Sequence, residues 1–227
     1  MGKIMSVSLI EDYLQTQGLR LPADNVRMSL LAAQAVMNMG TASIDRNILW
    51  YENDDVVLSE YLEQTDENEA LLRQIFMALD SVCSRVGMPK SAVVYALMPS
   101  ENSDRQLIRL SQQNDVLEQR LLLGEQNGNC FLPVRTAQTG WLNLVDDVAY
   151  WLELGELVGG HHTRSRSQMA LPICHERGAV LGVVYVEEDE TGAFTEEKQT
   201  EWAGLALALA EPLCALLGYE AVEKEND

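Results

Sequence analysis

Residues 178–187 read Gly178-Ala179-Val180-Leu181-Gly182-Val183-Val184-Tyr185-Val186-Glu187, and five residues later comes Gly192-Ala193-Phe194-Thr195-Glu196-Glu197. The first run is short, apolar and β-branched and follows a glycine turn, the pattern of a strand buried on both faces. Gly182 within it marks a close approach by a neighbouring element. The second run starts a helix. The Thr195 hydroxyl can accept from the first unpaired N–H groups, Glu196 and Glu197 sit at the positive end of the helix dipole, and Phe194 can staple onto the first turn. That helix is expected to reach about Leu217, with Gly218 ending it. Its stripe is Trp202, Leu205, Ala206, Leu209, Leu213 and Leu216, and Pro212 should kink its last turns.

Upstream, Gln168–Cys174 reads as the partner strand, joined through His175-Glu176-Arg177-Gly178. From Glu69 to Val86 the residues Leu72, Ile75, Leu79, Val82 and Val86 keep a 3-4-3-4 spacing, one narrow helical stripe. Gly87 and Pro89 end it. Ala92–Met98 and Leu107–Gln112 then read as two strands with the turn at Ser100–Asp104. Between the strand pairs lies a variable middle: a turn at Asn127-Gly128-Asn129, a short helix Val134–Gln138 stopped by Gly140, and a strand Trp141–Val145 running into Asp146-Asp147. A loop or short helix, Val148–Val158, then leads to Gly159-Gly160-His161-His162. The order helix, two strands, variable middle, two strands, helix predicts an α/β (α+β) fold, a central antiparallel sheet flanked by helices. Met5–Gln17 and Asp24–Met39 add two N-terminal helices, while Ile44–Tyr61 receives no assignment. The expected organisation is a helical extension over 1–65, a sheet domain over 66–218 and a charged flexible tail over 219–227.

Of the 227 residues, 35 are Asp or Glu and 16 are Lys or Arg, a formal charge of −19. Nucleic acid and anionic membrane surfaces are therefore repelled. No stretch approaches the ~18 uninterrupted apolar residues of a membrane span, so no membrane insertion is expected. Glu11 and Asp12 interrupt any secretory apolar segment after the first residues, and a cytoplasmic location follows as an expectation. Cys83, Cys130, Cys174 and Cys214 are scattered without C-x-x-C spacing and read as buried thiols of a reducing compartment.

Several blocks together resemble the GAF-domain family: Met169-Ala170-Leu171-Pro172-Ile173, the 178–187 and 192–197 runs, and Arg135-Thr136-Ala137-Gln138-Thr139-Gly140 followed by Leu142-Asn143-Leu144-Val145-Asp146-Asp147. They fall in the family's order and cover roughly Leu71 to Leu217. The resemblance implies the fold. By class it also implies a non-catalytic signalling or regulatory protein, often a dimer, that holds a small ligand between the sheet and the variable middle and signals to a protein partner. Fold alone does not choose the ligand, and no cofactor is named by the sequence.

On that reading the pocket wall draws on Trp141, Asp146, Tyr150, Trp151, His161, His162, Arg164 and Arg166, with Ser167 and Met169 nearby. Aromatics and paired arginines could grip an anionic planar ligand. Equally, Trp141 and Trp151 could pack a local core while Arg164 and Arg166 neutralise acidic surface. The pair His161-His162 does not favour a metal site, because neighbours in regular structure point apart; a single haem-ligating or phosphate-contacting histidine stays open, and a solvent-exposed loop after Gly159-Gly160 explains the pair as well. Two alternatives stay open. One is a protein-interaction scaffold whose pocket is filled by side chains such as Trp151 and Met169. The other, implied by the family, is a thiol-dependent free methionine sulfoxide reductase using Cys130 and Cys174. The motif of cyclic-nucleotide-binding members and a cysteine context for bilin attachment are both missing. The Leu72/Ile75/Leu79/Val82 and Leu205/Leu209/Leu213 stripes could bundle across the axis of a homodimer or pack on their own sheet.

Overall fold

The computed structural model describes residues 7–39, 43–53, 56–100, 105–124 and 128–219. Helices α1 (Val7–Thr16) and α2 (Ala23–Met39) precede a single turn, α3 (Arg46–Leu49). A minimal hairpin of β1 (Glu52–Asn53) and β2 (Val56–Val57) and a 3-10 turn at Leu58–Glu60 complete the region that the sequence left unassigned. Then follow α4 (Asp66–Val86), β3 (Ser91–Pro99), β4 (Arg105–Asn114), β5 (Arg120–Leu122), α5 (Leu132–Thr139) and β6 (Asn143–Val145). The chain continues through α6 (Val148–Glu153), a 3-10 segment Gly160–Arg164, β7 (Ser167–Cys174), β8 (Val180–Glu188), α7 (Glu196–Ala208) and α8 (Ala210–Leu216).

The six long-sheet strands lie in the order β5-β4-β3-β8-β7-β6, and every pairing is antiparallel. β8 is central, with β3 on one side and β7 on the other, which is why its residues are apolar toward both faces. Alternation sends Ala92, Val94, Val184 and Val186 to the helical face, and Val93, Tyr95, Val183 and Tyr185 to the opposite face. Two cores result, one on each side of the sheet.

Local chemistry sets the element ends. Thr65 accepts from the Asn68 amide at 3.1 Å, starting α4 three residues before the Glu69 expected from periodicity. Gly87 and Gly140 close α4 and α5 in the left-handed conformation. Pro212 has no N–H to give the Ala208 carbonyl, and the expected single helix divides at Leu209 into α7 and α8. The expected strand Trp141–Val145 shortens to β6, and β5 was not expected at all. The turn expected at 100–104 lies, but for Ser100, outside the described residues, as does the flexible tail beyond Tyr219.

Ile10, Leu14, Val26, Leu30, Ala33 and Leu58 belong to the same buried cluster as Leu72, Leu79, Val184 and Trp202, so the described residues up to 62 share the helical core of the sheet. α2 lies on α7 and covers the side of α7 that a single stripe would leave in water. Tyr13 fastens α1: its hydroxyl donates to the Pro172 carbonyl of β7 at 3.0 Å, out of water. Tyr13→Phe leaves that carbonyl without its partner and is expected to cost about 1 kcal/mol in urea unfolding; an unchanged midpoint would mean that α1 is held by packing alone.

The Leu72/Ile75/Leu79/Val82 and Leu205/Leu209/Leu213 stripes are at most 1% exposed within one chain. A bundle of these stripes across a dimer axis is thereby corrected: they are already spent on the chain's own sheet. No helix among the described residues is long and apolar enough to cross a membrane.

Candidate functional site

On the sheet face opposite the helices, the described residues between the end of β4 and the start of β7 fold back over β3, β8 and β7. Most of the contact is apolar: Val93, Leu107, Leu132, Val134, Ala170 and Val183 are all fully buried. A charged cluster sits within this layer. Arg164, at the end of the 3-10 segment, points its Nε at both oxygens of Glu187, each at 2.9 Å. Its Nη1 and Nη2 meet Oε1 and Oε2 of Glu118 at 2.8 and 3.0 Å. Glu187 stands at the end of β8 with its side chain 1% exposed, and the Tyr185 hydroxyl donates to it at 2.8 Å. Glu118 comes from the connection between β4 and β5, and the Tyr95 hydroxyl donates to its backbone carbonyl at 2.7 Å.

Beside this triad lies a ring stack. Phe131 stacks on His161 with centroids 4.5 Å apart, and His161 meets His162 at 4.1 Å. The expectation of a solvent-exposed histidine pair is corrected here. His162 is 1% exposed and its Nδ1 lies 3.0 Å from Gln168 Oε1, while Gln168 Nε2 donates to Ser165 Oγ at 2.8 Å. The two rings meet with His161 turned back over Gly159 and His162 held on Gln168. His161 packs on Gly159, where a Cβ would fall 2.6 Å from its ring, so the glycine makes room for the stack.

The electrostatics follow from burial and pairing. Burial pushes the Glu118 carboxyl up, but the Arg164 hydrogen bonds and charge outweigh it and hold the group below the usual carboxylate range. Burial, then the neighbouring His161, pushes His162 down to about 4, so its ring is neutral near pH 7. Burial opposes the charge on Arg164, yet the two carboxylates raise its pKa further. Burial and, second, nearby carboxylates keep Tyr95 and Tyr185 protonated as donors. One guanidinium thus faces two carboxylates, an arrangement suited to recognition by charge and shape.

The other expected pocket residues are dispersed. Trp141 and Tyr150 are 65% and 55% exposed. Trp151 packs part-buried against the apolar layer. Asp146 is exposed and offers its backbone carbonyl to Gly192 N at 2.8 Å. Arg166 is exposed and joins through its backbone, its N–H donating to the Glu188 carbonyl. Ser167 Oγ donates to the Glu190 carbonyl, and Met169 faces the helical core. His161, His162 and Arg164 are therefore brought together; Trp141, Tyr150, Asp146 and Arg166 are not.

Cys130 lies just before Phe131 of the ring stack. Cys174, at the far end of β7, lines a cavity of about 200 Å³ with Tyr13, His175 and Leu207 on the helical side. The two thiols thus border opposite faces of the sheet. Burial pushes the Cys174 thiol up to about 11, the reverse of what an attacking thiol needs. At pH 8 about one Cys174 in a thousand is then thiolate. Its alkylation by iodoacetamide is expected to be far slower than that of a free thiol and to accelerate toward pH 11; rapid labelling at pH 7 would contradict this burial. Among the described residues no three His, Cys, Asp or Glu side chains converge as a metal site.

Glu187 was legible, since alternation along β8 places it on the same face as Val183 and Tyr185. Glu118 was not, because nothing local in its loop aims it at Arg164.

No family model matches the chain, and no curated protein matches it in sequence. Solved structures do resemble it in fold. The GAF domain of an Acinetobacter phosphoenolpyruvate-protein phosphotransferase aligns with a TM-score of 0.55 at 13% identity, over 86% of this chain and 96% of its own. The GAF domain of the Coxiella burnetii phosphoenolpyruvate-protein phosphotransferase aligns at 0.53 and 13%, over 83% and 94%. A type II free methionine-R-sulfoxide reductase from Thermoplasma acidophilum aligns at 0.55 and 14%, over 67% and 98%. The chain has a GAF-like fold.

Proposed function

We propose that this chain is a non-catalytic regulatory module that senses a small ligand between the sheet and the segment folded over it, and passes the signal to a protein partner. The observation that carries this reading is the Glu118–Arg164–Glu187 cluster, set where the GAF resemblance places a ligand. An ion triad with one fully buried carboxylate is seldom the most stable filling for such a space, and the best-attested use of such groups is to specify or switch a conformation. A contiguous path leads from it to the N-terminal region. The Leu117 carbonyl, next to Glu118, accepts from Arg109 Nη1 at 3.1 Å; Arg109 lies over the Tyr51 ring at 4.7 Å, and the Tyr51 hydroxyl donates to the Arg109 carbonyl at 2.7 Å. Breaking the Glu118 contact would bias both ends of this path. We place the partner surface on residues 7–62, and a homodimer would use a face other than the buried stripes.

Native mass spectrometry of gently purified protein, beside a denatured sample, tests this reading and reports the oligomer. A mass excess that vanishes on denaturation is the expected result, together with a metabolite that raises the melting temperature of the wild type but not of Arg164→Ala. An empty protein that no metabolite stabilises would overturn it. The scaffold reading would then hold, favoured by the complete burial of Val93, Leu107, Leu132 and Val183 under the same segment. A reductase using Cys130 and Cys174 has the fold likeness in its favour and the separation of the two thiols against it; thiol-dependent turnover lost in both Cys130→Ser and Cys174→Ser would restore it.

A further inference from the structure

We infer that Glu118 is a built-in stand-in for the ligand: its carboxylate fills the Arg164 fork that receives the carboxylate of a small organic acid when the site opens. This rests on the sensing reading above and names the chemistry of that site. The two carboxylates on Arg164 are not equivalent. Glu187 is anchored in the central strand, takes a second bond from Tyr185 and is out of water. Glu118 sits on a connection next to exposed Val116, and its side chain is 29% exposed. Only Glu118 can withdraw without disturbing the sheet. Its paired contacts at 2.8 and 3.0 Å are the bidentate geometry by which a guanidinium recognises a carboxylate.

A second observation points to the same place. His161 lies close enough to Glu118 to help hold it ionised, and its Nε2 is buried without a hydrogen-bond partner. Buried polar atoms are nearly always satisfied, so an orphan beside an exchangeable carboxylate marks a contact that a ligand can complete. Phe131 stacked on His161 supplies a flat apolar wall. The site therefore fits a small carboxylic acid with a planar or apolar body. A cationic ligand would have to face Arg164, which Glu187 holds in place.

A tethered competitor weakens apparent affinity by the fraction of molecules in which the fork is open. If the closed form dominates by about a hundred to one, removing Glu118 tightens binding of a carboxylate by about a hundredfold. The test titrates acetate, propionate and benzoate, at constant ionic strength, into wild type, Glu118→Ala and Glu118→Gln, with ethylammonium chloride as the cation control. Melting temperature and the Arg164 Nε–H resonance report binding. The expected result is saturable carboxylate binding to Glu118→Ala at least about tenfold tighter than to wild type, with a smaller gain in Glu118→Gln and none in Glu118→Ala/Arg164→Lys.

A cooperatively folded Glu118→Ala that ignores carboxylates, or that binds ethylammonium instead, overturns the inference; should that variant not fold, Glu118→Gln decides by the same criterion. If wild type carries a metabolite in the native spectrum while the variants ignore carboxylates, this inference falls and the sensing reading stands. Carboxylate binding to the variant with an empty wild type that no carboxylate concentration affects overturns both the inference and the sensing reading, because Glu118 then never yields the fork.

Discussion

Replacing Arg164 by methionine is expected to lower the unfolding free energy by about 3–5 kcal/mol at pH 7, because it leaves Glu187 charged and buried without a cation. Methionine keeps much of the apolar stem, so the loss isolates the guanidinium. Arg164 reaches solvent along one side, which puts the expected value toward the lower end of that range. Changing Glu187 to glutamine as well should return much of the loss, since the penalty comes from the orphaned charge rather than from the missing pair.

The effect of pH gives an independent check. In wild type the Glu118 carboxyl is held below its ordinary value, so its contribution is present above the unfolded carboxylate value of about 4.3 and is lost as pH falls through the lower folded one. In Arg164→Met the hydrogen bonds that hold Glu118 low are gone, so this contribution is absent and the gap between wild type and variant is expected to narrow as pH falls from about 4.3. Urea unfolding at pH 3.5 and pH 7 should show a smaller gap at pH 3.5. Equal gaps at the two pH values would mean that Arg164 does not hold Glu118 ionised.

Gly204→Leu is expected to cost about 3 kcal/mol or more and to lift α2 from α7. A Cβ at position 204 would stand 2.6 Å from Ser29 Cβ, 2.8 Å from the Leu30 backbone nitrogen and 2.9 Å from the Ser29 carbonyl carbon. Two of those atoms are backbone of α2 and cannot swing aside. Even Gly204→Ala should be a net loss, although alanine is better than glycine in a helix by about 1 kcal/mol. Denaturant unfolding gives the magnitude. Hydrogen exchange gives the location: α2 amides should lose protection more than those of β8. A Gly204→Leu protein as stable as wild type would show that α2 does not dock there.

These two sites show what was readable in the chain. Arg164 lies in the window 141–169 from which the pocket wall is expected, but its partners do not follow from the sequence. Glu187 could be assigned a face by the two-residue period of β8. Glu118 belongs to a loop with no period, and its meeting with Arg164, 46 positions away, depends on how the connection folds back. Trp141 and Tyr150 failed to join the cluster for a related reason. A three-residue strand and a six-residue helix leave side-chain direction to the surrounding packing.

Local chemistry by itself determined the order of the longer elements from α4 to α8, the buried character of β8, the Thr195 and Gly140 helix boundaries and the break at Pro212, because each depends on residues within a turn or two of one another. The tertiary structure alone decided that α7 from Trp202 on would be buried all round, with Ala203, Gly204, Leu207 and Ala208 covered as well as the Trp202–Leu205–Leu209 stripe. It also decided that the helical extension would share the sheet's core and that a lone arginine would close between two distant carboxylates. Those outcomes come from contacts between segments far apart in the chain, whose energies depend on distance in space, and periodicity along the backbone carries no record of that distance.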